Sequence, residues 1–219
     1  MSEFAKPPIV VAVTGASGAV YATRLLQHLV AADDREIHLT ISPSGAAVIA
    51  QETALRIDLA RPDMDALVDH LPEYLPPRDD AVAAAARRIG TAAIRYHHYQ
   101  DYMTPIASGS FLTGGMVVCP CSGSTLSGIA RAAASNLIQR AAEVHLKEHR
   151  KLVLVPRETP ISVLQLENMH RVAAAGAVML PAMPGWYHGV KDLHDMVDFV
   201  VGRILDQIDV DNSAIRRWG

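Results

Sequence analysis

Residues 9–18 read IVVAVTGASG, five apolar residues that pass directly into a turn of small residues and glycine. The apolar run is rich in β-branched residues and has the length of a strand buried on both faces, as strands of parallel sheets are. Beyond the turn, apolar residues recur at helical spacing at positions 21, 25, 26, 29 and 30. The stretch therefore predicts a strand, a glycine turn and a helix in succession.

Four further buried-strand candidates follow, separated by segments of helical periodicity, at residues 37–41, 116–119, 152–155 and 178–180. This alternation predicts an α/β fold with a doubly wound, mostly parallel sheet and helices on both faces. Residues 56–105 interrupt it with Pro62, Pro72, Pro76 and Pro77 and with an alanine-rich stretch at 81–93, and we interpret them as a helical excursion. Because 219 residues suit one hydrophobic core, residues 1–219 are expected to form a single domain.

The overall charge and the apolar runs exclude several classes of partner. A formal net charge of -3 and a pI near 6.3 create no general field for nucleic acid or anionic lipid. The first residues lack the apolar core of a signal peptide, and no apolar run reaches the roughly 18 to 20 residues of a membrane span. We expect a cytoplasmic protein that binds neither nucleic acid nor membrane.

Ligands of open parallel sheets bind beyond the carboxyl ends of the strands, so the residues just after each predicted strand are site candidates. Two of these segments carry small and hydroxyl residues before a helix, GASG at 15–18 and PCSGST at 120–125. Free N–H groups at such helix starts suit an anion, and the hydroxyls suit a phosphate. A tight turn and a simple helix cap are the alternatives. The candidates from all segments are Ser17, Ser42, Ser122, Arg157 and Tyr187.

Charged residues add a possible acid or base and several cations. Glu158 follows a predicted strand directly, where a glutamate can handle protons, although a surface salt bridge would also explain it. Arg140 and Lys147 are seven residues apart and so share one face of a predicted helix. Together with Arg157 and Arg203 they could hold a phosphate, and solvated surface charge is the alternative.

Two other patterns point to different chemistry. Residues 145–149, HLKEH, match a zinc-peptidase motif, but helices rich in His, Lys and Glu produce such matches by chance. Tyr187 and Lys191, with TGAS at 14–17, suggest a short-chain dehydrogenase. Against it, Ala19 replaces a glycine, strand 37–41 ends without an acid for the ribose, and Gly189 would break the required helix. We therefore expect no metal site and rank the dehydrogenase low.

Ten segments taken together resemble the UbiX-type flavin prenyltransferases, and they cover nearly the whole chain. The segments are TGASGA (14–19), IASGSF (106–111), PCS (120–122), TLS (125–127), NLI (136–138), RAA (140–142), LKE (146–148), LVLVPRETP (152–160), ENM (167–169) and PGWYH (184–188). No single segment is specific, but their order and combination are.

The resemblance implies a Rossmann-like flavoprotein fold that is commonly a dodecamer of identical chains. It implies a metal-independent enzyme that transfers a dimethylallyl group from dimethylallyl monophosphate to nitrogen-5 and carbon-6 of reduced FMN. The product, prenylated FMN, would serve a UbiD-type decarboxylase, as in ubiquinone biosynthesis. The alternatives that we weigh are an FMN carrier and a flavin-dependent cysteine-peptide decarboxylase, although neither the histidine base nor the cysteine loop of the latter is evident.

The resemblance also assigns residues to roles. Contacts to FMN are expected from Gly15, Ala16, Ser17, Ser42, Ser122, Gly123, Ser124, Thr125 and Arg157. Contacts to the prenyl phosphate are expected from Tyr187, Arg203, Arg140 and Lys147. Independently of the resemblance, aromatic faces stabilise an allylic cation, and the candidates for that role are Tyr102, Tyr187 and Trp218. Tyr102 departs from the family, because some members have tryptophan there. The expected catalytic residues are Ser17, Glu158, Glu52 and Lys147.

Overall fold

The strands of the chain are short and almost entirely buried. The computed structural model describes residues 4–75 and 80–214. In these ranges it has six strands: β1 (Ile9–Val13), β2 (Ile37–Ile41), β3 (Ile94–Tyr96), β4 (Gly115–Cys121), β5 (Leu152–Pro156) and β6 (Val178–Met179). All five strand pairings are parallel. The predicted doubly wound parallel sheet is confirmed.

Helices connect the strands. Within the described ranges they are α1 (Ala19–Ala32), α2 (Pro43–Thr53), α3 (Met64–Asp69), α4 (Ala81–Ile89), a 3-10 turn at Pro105–Ala107, α5 (Gly123–Ala130), α6 (Leu137–Lys147), α7 (Val163–Ala174) and α8 (Leu193–Gln207). None of these helices has both the length and the apolarity needed to cross a bilayer.

The strand order reverses once, between β1 and β4. The order across the sheet is β3-β2-β1-β4-β5-β6, so the chain builds outward from β1 in one direction and then returns to build in the other. This is the strand order of dinucleotide-binding folds, in which the ligand binds at the reversal, beyond the carboxyl ends of the strands.

Each face of the sheet has its own hydrophobic core. Ile9, Val11 and Val13 of β1 pack with residues of α1, α3, α4 and α8, whereas Val10 and Ala12 pack with residues of α5, α6 and α7. Because side chains alternate between two buried faces, β1 needs apolar residues at every position. Its sequence is accordingly a continuous apolar run.

The prediction for residues 56–105 is only partly correct. The segment contains the short helices α3 and α4, but it also contains β3, which pairs with β2 at the edge of the sheet. The β3 sequence Ile-Arg-Tyr has one buried residue, one exposed and one half-buried. A three-residue edge strand gives too short and too polar a pattern for periodicity to detect.

A buried cation joins three helices on one side of the sheet. Arg24 of α1 is 5% exposed, and its guanidinium donates to both carboxylate oxygens of Asp198 in α8, at 2.6 and 3.2 Å. Its Nη1 also lies 2.7 Å from the carboxylate of Asp80, which caps α4. Arg24 therefore fixes α4 and α8 against α1.

We expect Arg24→Met to lower the free energy of unfolding by about 3 to 5 kcal/mol, because the shared cation is removed from the buried carboxylate of Asp198 and the largely buried one of Asp80. The matched control is Arg87→Met, which breaks an ion pair with Asp69 in which both side chains are more than half exposed. Its loss should not exceed about 1 kcal/mol. Urea unfolding followed by circular dichroism measures both, and equal losses would contradict this role of Arg24.

Candidate functional site

The carboxyl edge of the sheet brings together most of the residues expected to contact a cofactor. Adjacent along this edge are Ser42 after β2, residues 15–17 after β1, Ser122 after β4, and Arg157 after β5. These residues lie close together because they follow neighbouring strands of the sheet, which are about 4.8 Å apart. The three strand spacings from β2 to β5 give the edge a length of about 14 Å.

The buried hydroxyl of Thr14 ties the two central loops together. Its Oγ1 donates to the carbonyl oxygen of Pro120 at 2.8 Å and accepts from the backbone N–H of Ser122 at 2.8 Å. Thr14 is 1% exposed, so both bonds are shielded from water. This role of Thr14 is absent from the predicted site residues, although a threonine directly after a fully apolar strand is a signal for such a bond.

The loop after β1 is closely packed and needs its glycines. Gly18 has φ 114°, a backbone conformation that residues with a Cβ rarely adopt. A Cβ at Gly15 would lie 2.5 Å from the Cβ of Ser44, so only glycine lets the loops after β1 and β2 come this close. Backbone conformation and close packing explain why both positions are glycine. A ligand can still lie beside them.

The N-terminus of α1 is not free for an anion, contrary to expectation. The carboxylate of Glu52 in α2 accepts from the backbone N–H of Gly18, at 3.0 and 3.1 Å, and of Ala19 at 2.8 Å. A carboxylate from 33 or 34 residues away thus takes the place where the sequence suggested a phosphate. Glu52 is brought to the predicted site, and its observed contacts are those of a helix cap.

Ser42 and Ser122 form matching caps on either side of this loop. Ser42 Oγ accepts from the N–H of Gly45 at 3.0 Å, and Ser122 Oγ accepts from the N–H of Thr125 at 3.3 Å. Each hydroxyl also lies near the hydroxyl of a second serine, two residues further along the chain, at 3.1 and 3.2 Å. Two hydroxyl pairs therefore line the edge, Ser42 with Ser44 and Ser122 with Ser124.

Arg157 and Glu158 carry the charges at the end of β5. Arg157 Nε donates a long hydrogen bond of 3.4 Å to the carbonyl oxygen of Ser17, which links β5 to the loop after β1. Glu158 is exposed and accepts from Nε2 of Gln165 at 3.1 Å. A cavity of about 70 Å³ lies beside them, lined in part by Met169. The guanidinium of Arg157, the carboxylate of Glu158 and the loop that carries Ser17 are therefore adjacent.

Two tyrosines lie near the Glu52 cap. Burial raises the pKa of Tyr74, with a smaller contribution from the negative charge of Glu52. Burial likewise raises the pKa of Tyr21, with Cys119 and Tyr74 contributing. Both phenols are therefore neutral donors at physiological pH. The Cys121 thiol, whose pKa is raised to about 12 by burial, is no nucleophile.

Tyr187, which precedes α8, packs against the face of α8 that carries Arg203. The ring of Tyr187 meets that of Phe199 edge to face, with centroids 5.7 Å apart. Arg203 is one helical turn beyond Phe199 on the same face, is exposed, and pairs with Asp206 at 3.1 Å. The structure therefore brings together two of the residues expected to hold the prenyl phosphate.

Tyr102, Arg140 and Lys147 belong to a different region. Arg140 Nε donates to the carbonyl oxygen of Ala107, and Lys147 pairs with Glu148. Tyr102 lies in the same connection between β3 and β4 as Ala107 and is 44% exposed. The third aromatic candidate, Trp218, lies outside the described residues.

The direction of β5 separates Lys147 from Glu158. Because α6 precedes β5, Lys147 lies at the amino end of that strand, whereas Glu158 lies beyond its carboxyl end. The five residues of β5 alone separate them by about 16 Å. Within one chain, these two expected catalytic residues are therefore not brought together.

The other two patterns do not form sites. His145 is buried, with Nδ1 at 2.7 Å from the carbonyl oxygen of Ala141 and Nε2 at 2.8 Å from Thr113 Oγ1, so both nitrogens are engaged. Across residues 4–75 and 80–214 no group of metal-binding side chains occurs. Tyr187 and Lys191 precede α8 rather than lying in a helix.

The chemistry of the carboxyl edge fits FMN. Paired serine hydroxyls can hydrogen-bond a phosphate and a polar ring edge, and the Arg157 guanidinium supplies positive charge beside them. A site at the reversal of strand order is where such a ligand binds in this type of sheet. The residues present therefore match the group that the resemblance implies.

Comparison with known proteins gives full-length matches. The profile of the Flavoprotein family matches residues 2–205. The flavin prenyltransferase UbiX of Pseudomonas aeruginosa is 46% identical over 211 residues, covering 96% of this chain and 93% of that protein. The crystal structure of AnUbiX (PadA1), in complex with FMN and dimethylallyl pyrophosphate, has a TM-score of 0.78 at 36% identity and covers 98% of both chains.

A third match is a dodecamer. It is the FMN-dependent Ubix-like decarboxylase from Escherichia coli O157:H7, with a TM-score of 0.78 at 36% identity, covering 97% of this chain and 99% of that one. Matches of this coverage include the segments that form the carboxyl edge as well as the core of the sheet. The chain belongs to the UbiX flavin prenyltransferases, within the Flavoprotein family.

Proposed function

We propose that this protein is a flavin prenyltransferase that joins a dimethylallyl group from dimethylallyl monophosphate to reduced FMN. The observation that carries the proposal is the convergence of the serine pairs, Arg157 and Glu158 at the reversal of strand order. Bound reduced FMN supplies the nucleophilic nitrogen-5 and carbon-6 that accept the prenyl group. The bond to nitrogen-5 would form as the allylic carbon–oxygen bond breaks and inorganic phosphate leaves, with loss of the proton on that nitrogen. The bond to carbon-6 would form at the expense of the prenyl double bond, which takes up one proton while carbon-6 releases one.

The protein's own residues would stabilise the two charges that this cleavage creates. Cations are needed for the departing phosphate, and Arg203, Arg140 and Lys147 are the exposed or half-exposed candidates. The face of an aromatic ring stabilises an allylic cation, and Tyr187, 63% exposed beside α8, is the ring that we assign to this role.

Three residues of the carboxyl edge would act near the flavin ring. Glu158 can accept the proton that leaves the ring when the new bond forms. Ser17, whose carbonyl oxygen accepts from Arg157, is the proposed neighbour of nitrogen-5. Glu52 would contribute by fixing the loop that carries Ser17, because its carboxylate holds the N–H groups of Gly18 and Ala19.

The cations of α6 would reach the site from a neighbouring copy of the chain. In its own chain, Lys147 lies at the opposite end of β5 from Glu158. Large apolar side chains are exposed on α7, where Val163 is 70% exposed and Leu164 is 66% exposed, and such a surface favours association. A homo-oligomer in which α6 of one copy covers the carboxyl edge of another would unite Lys147 with Glu158. We extend the proposal to such an oligomer, a dodecamer as in the E. coli relative.

The product would pass to a decarboxylase of the UbiD type. A prenylated flavin is useful only to an enzyme that employs it as a cofactor, so the proposal includes a recipient protein. This recipient rests on the resemblance alone, and the chemistry of the carboxyl edge supports only the transferase step.

The direct test of the activity is the mass of the flavin. Purified protein with reduced FMN and dimethylallyl monophosphate, under anaerobic conditions with a chelator, should yield a flavin heavier by one dimethylallyl unit. A parallel reaction with the diphosphate identifies the preferred donor. If folded, FMN-loaded protein leaves the mass of the flavin unchanged with both donors, the protein is a flavin carrier and not a transferase.

A second test asks whether Lys147 and Glu158 from different chains form one site. Glu158→Gln should retain FMN but lose turnover by roughly 10² to 10⁴-fold, as expected for loss of a proton-transfer group. Lys147→Ala should mainly weaken the use of the donor. When the two variants are coexpressed, randomly mixed oligomers should regain about a quarter of wild-type activity, because only some sites combine both intact residues.

The matched control for this mixing experiment is Glu158→Gln coexpressed with Glu167→Gln, an exposed glutamate of α7. That mixture should retain about half of wild-type activity, set by the share of chains with an intact Glu158. If the Lys147→Ala and Glu158→Gln mixture stays inactive although mixed oligomers form, both residues act within one chain or Lys147 has another role.

A further inference from the structure

Glu158 has a single anchor. It is exposed at the end of β5, where a free glutamate side chain would sample several rotamers. In the part of the chain that the structure describes, the only hydrogen-bond partner of its carboxylate is the side-chain amide of Gln165, at 3.1 Å from Oε2. The position of the proposed proton-transfer group therefore depends on one residue of α7.

The orientation of that amide is determined by the start of α7. Ser162 caps the helix by accepting from the N–H of Gln165 at 3.2 Å, and Gln165 Oε1 accepts from the N–H of Ser162 at 2.8 Å. These reciprocal bonds form a capping box. Because a backbone N–H can only donate, the oxygen of Gln165 must face Ser162, and its NH₂ group must face Glu158.

Gln165 also lies close to the segment that follows β4. A Cβ added at Gly123 would lie 3.2 Å from Gln165 Nε2, closer than most real Cβ contacts. Gly123 is the first residue of α5, next to the Ser122 cap. The amide thus lies between Glu158 and the serine segment, and it cannot turn away without breaking the cap of its own helix.

We propose that Gln165 is a positioning residue for Glu158, holding the carboxylate against the β4 side of the site through an amide that the Ser162 cap orients. The proposal rests on the proposed function, in which Glu158 transfers a proton. With Oε2 held by the amide, proton exchange falls to Oε1. Gln165 contributes through Glu158 alone and contacts no reacting atom.

Two substitutions separate this role from the capping of α7. Gln165→Glu keeps the capping box, since glutamate also serves at the third helical position, but it replaces the N–H donor beside Glu158 with a second carboxylate. Ser162→Ala removes the hydroxyl that accepts from the N–H of Gln165, but it keeps the backbone N–H that donates to Gln165 Oε1 and so leaves the amide oriented. The first variant changes the surroundings of Glu158, and the second changes mainly the stability of the helix.

The first readout is the pH dependence of turnover at saturating donor. For Gln165→Glu, the limb of the profile that Glu158 controls should move to higher pH by about one unit. The reason is that repulsion between two adjacent carboxylates disfavours the ionisation of both. Gln165→Ala should lose about tenfold in turnover with little change in FMN affinity. Ser162→Ala should keep the wild-type profile despite a lower melting temperature.

The second readout needs no activity. The melting temperature of Gln165→Glu should fall relative to wild type as the pH rises from about 4 to about 8, since the two carboxylates ionise together. Adding Glu158→Gln to Gln165→Glu should abolish that fall. The exposed Glu167→Gln, combined with Gln165→Glu in the same way, should leave it unchanged.

These readouts separate failure of the inference from failure of the proposed function. If wild type makes no prenylated flavin, the function fails, and the melting curves still test the contact between Gln165 and Glu158. If wild type is active but Gln165→Glu keeps the wild-type pH profile and melts in parallel with it at every pH, Gln165 only caps α7 and the proposal is overturned.

Discussion

The buried hydroxyl of Thr14 joins the two halves of the sheet at the edge where the ligand would bind. It donates to Pro120 and accepts from Ser122, so the loop after β1 and the loop after β4 are held in one register. Each such bond contributes only about 0.5 to 1.5 kcal/mol, but a buried hydroxyl left without partners would cost more. The glycine loop begins directly after Thr14, the pair of Ser122 and Ser124 begins at its bonded partner, and Arg157 donates to Ser17 in the same glycine loop.

The Glu52 cap determines where along the same edge positive charge is available to a ligand. Its carboxylate neutralises the positive end of α1, so the N-terminus of that helix does not attract a phosphate. In the proposed site, an anionic ligand would meet instead the serine caps of α2 and α5 and the guanidinium of Arg157. The carboxylates of Glu52 and Glu158 belong to opposite sides of this edge, one fixed by backbone amides and the other by the Gln165 amide.

Much of the fold could be predicted because parallel strands are buried on both faces. β1 and β2 agree with the predicted ranges, and the other long strands differ by no more than two residues at either end. β3 could not be predicted because an edge strand of three residues leaves no continuous apolar run in the sequence. Residues that follow strands, among them Ser42 and Arg157, were predictable as neighbours from strand order. The Glu52 cap and the Thr14 junction were not, because they join residues 33 to 108 positions apart that share no motif. Gln165 was within reach, since Ser-x-x-Gln is a capping-box pattern.

Helical spacing correctly put Arg140 and Lys147 on one helix. It carries no information on whether they contribute to the site of their own chain or to that of a neighbouring chain.

The position of the bound flavin decides whether the carboxyl edge is the site. The most direct measurement is a crystal structure of the FMN-loaded protein, read for the position of the isoalloxazine ring. The ring should lie beyond the ends of β1 and β4, between residues 14–18 and 122–125 and beside Arg157. A flavin bound at the amino edge of the sheet, or against α3 and α4, would contradict the account.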